Sequence, residues 1–99
     1  MAILTKGVII MFNTNKIYYN KQNNQYTCTC SLPSEELAAI LSKKCAMHAQ
    51  QQFGLPPVVN IYQNKSCIIV ESLSKILITE IASSLNKYLL ILSAKDLQK

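Results

Sequence analysis

The sequence predicts an α+β domain: an antiparallel sheet of five strands with helices on both faces. Three observations lead there. One capped helical stretch spans 34–53, three short apolar runs follow it across turn-length gaps, and the middle run is apolar on both of its alternating faces. A sheet with two apolar faces needs cover on both sides.

Taken in order, Lys6 to Phe12 reads as a buried strand closed by the turn-forming Asn13-Thr14-Asn15, and Ile17-Tyr18-Tyr19 resumes it as a hairpin. Residues 20–25 are polar loop. Tyr26 to Cys30 is a further strand or the continuation of the second one. Ser34 then caps a helix whose first turn carries Glu35 and Glu36 against the positive end of its dipole. At about 100° per residue, Leu37, Ala38, Leu41, Cys45, His48 and Ala49 share one face, with Glu36, Lys43 and Gln50 opposite. Gly54 supplies the left-handed stop, and Pro56-Pro57 prevents resumption.

Val58 to Tyr62, Ser66 to Val70 and Lys75 to Ile81 read as three consecutive antiparallel strands. In the middle one, Cys67 and Ile69 lie on one face, Ile68 and Val70 on the other. The second cover is expected from Ala82 onward, where Leu85, Leu89 and Leu92 fall at helical spacing. A competing reading makes 73–86 the helix and Tyr88 to Leu92 a strand.

A chain of 99 residues fits one domain, 1–99, and buries roughly 65% of its unfolded surface. The formal charge is +5, and all ten cations are lysines. Without arginine there is no guanidinium fork for phosphates or guanine edges, and the lysines are scattered, so nucleic acid is not an expected partner. The four cysteines, with no secretory pattern, point to reduced thiols in the cytoplasm. No apolar run approaches the roughly 20 residues of a membrane span, and Ala2 stands where myristoylation needs glycine, so direct membrane insertion is not expected.

The most tempting chemical constellation is Cys28-x-Cys30 with Cys45-x-x-His48. Residues two apart share a strand face and residues three apart share a helix face, so three sulfurs and an imidazole form a permitted zinc set. Cysteine is also among the commonest core residues, and Leu37 and Leu41 surround the helical pair, which favours packing over metal. His48 is the sole histidine and has no nucleophile elbow or nearby acid; two glycines leave no phosphate-cradling loop. The chain therefore reads as a non-enzyme without a cofactor.

Its most informative feature is an edge. Val58-Val59-Asn60-Ile61-Tyr62 opens the three-strand run, carries no charge and has no internal proline. Sheet edges are normally guarded by charge, bulge or cover, so an unguarded one is a site for pairing with another chain.

The strand order and several segments resemble the roadblock fold, of the profilin/longin type, used by dynein light chains and Ragulator subunits. Gly7-Val8-Ile9-Ile10 is similar to that family's opening strand. Ser31-Leu32-Pro33-Ser34-Glu35-Glu36 resembles its step into the central helix, and Pro57-Val58-Val59-Asn60-Ile61-Tyr62 with Asn64 to Val70 its edge strand and hairpin. Lys75 to Ile81 is similar to its last strand, so the resemblance covers about residues 6–82. It implies pairing with another roadblock subunit through Val58, Val59, Asn60, Ile61 and Tyr62, with helix contact by Leu37, Leu41, Cys45 and His48. It further implies a scaffold for small Rag-type GTPases in nutrient signalling, held on the cytosolic face of the lysosome or vacuole by a lipidated partner. The alternative is a small regulatory or inhibitor protein that binds a single target enzyme.

Overall fold

The computed structural model describes residues 10–54 and 59–97, the last five of these as backbone only. Most of the expected first strand, Lys6 to Phe12, lies outside the described residues, as does Val58. The order is β1 (Tyr18–Asn20), β2 (Gln25–Ser31), α1 (Glu35–Phe53), β3 (Val59–Asn64), β4 (Cys67–Ser72) and α2 (Lys75–Leu97). The strands form an antiparallel sheet in the order β1-β2-β4-β3.

The turns follow from asparagine chemistry. Asn13, Asn20 and Asn23 each accept, through the side-chain oxygen, the backbone N–H two residues on. Asn24, at φ 56°, takes the left-handed position that closes the β1–β2 loop, and Lys65, at φ 55°, does so between β3 and β4. Helix α1 is bounded as its sequence requires. The Ser34 hydroxyl accepts from the Leu37 N–H at 3.1 Å, and Gly54, at φ 56°, donates its N–H to the Gln50 carbonyl.

Two expectations are corrected. The described residues hold four strands, not five, because Lys75 to Ile81 is the start of α2 rather than a strand. Ser74 sets that start. Its hydroxyl accepts from the Leu77 N–H at 3.2 Å, and its carbonyl accepts from the Ile78 N–H at 3.0 Å. Ile78, Ile81, Ala82, Leu85 and Leu89 then repeat at helical spacing and are all buried, and the same helix absorbs Tyr88 to Leu92.

The second correction concerns the layers. Both helices lie on one face of the sheet: α1 over β3 and β4, α2 over β2 and β4, touching each other. The shared core joins Leu37, Leu41 and Cys45 of α1 to Ile81 and Leu85 of α2, over Cys28, Cys30, Ile68 and Val70 of the sheet. The other face presents Thr27, Thr29, Asn60, Tyr62, Ile69 and Glu71. It is polar except around Ile69, which sits between Thr29 and Tyr62 of the neighbouring strands, so no second helical cover is required.

Candidate protein-association interface

Among the described residues strand β3 ends the sheet on one side, hydrogen-bonded to β4 alone. Its six residues, Val-Asn-Ile-Tyr-Gln-Asn, include no charge, no proline and no left-handed residue. Alternation divides them. Val59 is buried and Ile61 is half-buried against the core, whereas Asn60 and Tyr62 are exposed on the helix-free face. Gln63 ties the strand to its surroundings, its side-chain nitrogen donating to the carbonyls of Glu35 at 3.0 Å and Lys65 at 2.9 Å. The backbone groups of β3 that turn away from β4 have no neighbouring strand among the described residues.

Tyr62 is anchored from below. Its hydroxyl is influenced by Glu71 of β4, whose carboxylate accepts from the Asn23 side-chain nitrogen at 3.3 Å. Partial burial, and then the Glu71 hydrogen bond and charge, push the phenol above its ordinary pKa. Glu71 is itself buried, at 8% exposure, on the face that neither α1 nor α2 covers. Only the register, with Glu71 between Thr27 and Asn60, shows that it supports the edge strand.

The helix residues expected at the same interface divide differently. Leu37, Leu41 and Cys45 are turned into the chain's own core and offer no surface to a partner. His48 is half-buried and stacks on Tyr88 of α2, ring centroids 4.2 Å apart and planes within 5° of parallel. It lines a cleft of about 210 Å³ between the helices with Lys44, Met47, Gln51 and Tyr88. His48 therefore marks the α2 side of α1. The opposite flank, beside β3, carries Ala39, Ser42 and Ala46, and the Ser42 hydroxyl turns back to donate to the Ala39 carbonyl at 3.0 Å.

The sulfur set does not become a metal centre: among the described residues no three His, Cys, Asp or Glu side chains converge as metal ligands. Cys28, Cys30 and Cys45 are buried, and His48 faces Tyr88. Burial pushes Cys28 up to about 11, and Cys30 and Cys45 up to about 12; neighbouring thiols add to the rise at Cys30. The Cys28 thiol donates to the Asn13 carbonyl, as a protonated core group does. No helix among the described residues is long and apolar enough to cross a membrane. No family model, no curated protein and no solved structure matches this chain.

Proposed function

We propose that this protein is a non-enzymatic association subunit that pairs through β3 with a similar chain, and that the paired sheet serves as a platform for small GTPases of the Rag type. The observation that carries the reading is the β3 edge, six residues long and without charge, bulge or proline. In an antiparallel pairing of two such edges, the pleat requires residues of the same face to oppose one another. Ile61 opposite Ile61 of a second copy meets this condition and continues the apolar layer under both α1 helices. Ala39 and Ala46, half-buried small residues on the adjoining flank of α1, then let two helices approach closely. A roadblock partner, and attachment at the lysosome or vacuole through a lipidated subunit, follow from the sequence resemblance and belong to the same proposal.

Sedimentation at micromolar concentration is expected to give a dimer, and Ile61→Lys a folded monomer. Because Ile61 also touches the core, Asn60→Lys, at an exposed position, serves as the milder variant with the same expected direction. Association unchanged by either lysine excludes β3 as the contact. A monomeric wild type leaves the single-target regulator as the better reading. Affinity capture from the native cell tests the platform, since absence of both roadblock chains and Rag-type GTPases removes that part.

A further inference from the structure

The sheet has two edges, and they are built differently. Against the bare β3, the β1 side is closed by three devices. β1 is only three residues long, exposed lysines flank it at Lys16 and Lys21, and a turn in which Lys16 donates to the Asn13 carbonyl interrupts it.

A fourth device, a side chain, adds to these three. Beyond that turn Phe12 bridges Cys30 of β2, and the Asn13 N–H donates to Thr29. The backbone groups of Phe12 itself go elsewhere. Its N–H donates to Asn86 Oδ1 at 2.6 Å, and its carbonyl accepts from Asn86 Nδ2 at 3.1 Å. Asn86 sits in α2, 74 residues along the chain. One amide presents both the acceptor and the donor that a neighbouring strand would present to one residue. Both polar atoms of the half-buried Asn86 amide are thereby used.

We infer that Asn86 closes the far edge of the sheet, so that strand pairing occurs only at β3 and assembly stops at two copies of this chain. The inference rests on the association reading above for the partner, but the closure itself stands on the Phe12–Asn86 geometry. The occupant of β3 is a second copy because the edge is self-complementary. The chain carries +5, yet β3 contributes none of it, so two copies meet there without opposing like charges. With two open edges, each pairing with its like, chains would add without limit; one open edge on a two-fold axis gives a closed pair.

The test is Asn86→Ala, which removes both bonds and leaves the Phe12 backbone bare. Wild type is expected to remain dimeric across concentration. Folded Asn86→Ala is expected to grow past the dimer, its weight-average mass rising at least about twofold above wild type at high concentration. The double variant Ile61→Lys/Asn86→Ala, open only at the far edge, is expected to halt at a pair. A folded Asn86→Ala that stays dimeric overturns the edge closure while leaving the β3 pairing intact. A monomeric wild type overturns the pairing, and self-association of Asn86→Ala alone would still support the closure. Should Asn86→Ala fail to fold, hydrogen exchange in wild type decides: a protected Phe12 amide supports the clamp, and one exchanging at the free-chain rate overturns it.

Discussion

At the level of single residues, the cysteines show how environment sets chemistry. Cys28 and Cys30 share one face of β2 and enter the core with Cys45, where burial holds their thiols protonated. An unfolded thiol ionises near 9.0, whereas the folded ones wait until about 11 or 12. Above pH about 9 the unfolded chain therefore holds fewer protons than the native one, and stability falls as pH rises. The thiol contribution is complete below that pH and lost on the way to 11–12. The expected slope is about 1.4 kcal/mol per pH unit for each thiol in that window. Urea midpoints between pH 8 and 10 measure it, and Cys45→Ala should flatten the decline by one thiol's share. Under native conditions near neutral pH only Cys67, the partly exposed one, should react with a thiol reagent. Rapid modification of all four would contradict the burial.

Among the elements, α1 was legible from end to end and α2 was not. Ser34, the two glutamates and Gly54 mark α1 by local chemistry alone, and the structure uses Ser34 and Gly54 as caps. Lys75 to Ile81 is rich in β-branched residues and apolar apart from Lys75, Thr79 and Glu80, so its local composition fits strand or helix equally. What decides is the far longer run at 3.6-residue spacing, reaching Leu89, together with the Ser74 cap. Ser74→Ala is accordingly expected to cost about 1 kcal/mol, and Ser74→Asp to retain most of the stability, as read from thermal or urea unfolding. An Ala variant as stable as wild type would place the helix start elsewhere.

Across the whole molecule, the layering governs which surfaces remain for partners. Placing both helices on one face leaves a polar sheet surface and two edges; among the described residues one has no neighbouring strand and the other meets Asn86. If folding is linked to pairing at β3, the melting midpoint must climb with protein concentration, because a partner that binds only the native state adds to its stability. A midpoint constant over about a hundredfold range of concentration would separate folding from association. The two-faced reading came from β4 alone, where a central strand lies between neighbours and Ile69 is buried without a helix above it.

By itself the sequence determined what short-range chemistry controls: the α+β class, the limits of α1, the asparagine turns and the neutrality of β3. Capping groups, turn residues and alternation act within a few residues of the chain, so they can be read along it. The tertiary structure alone decided which face both helices share, that Leu37, Leu41 and Cys45 are core rather than surface, and that Asn86 meets Phe12. Those outcomes depend on contacts between segments far apart in the chain. An amide in a helix and a backbone 74 residues earlier carry no mark of each other until packing brings them within hydrogen-bond reach.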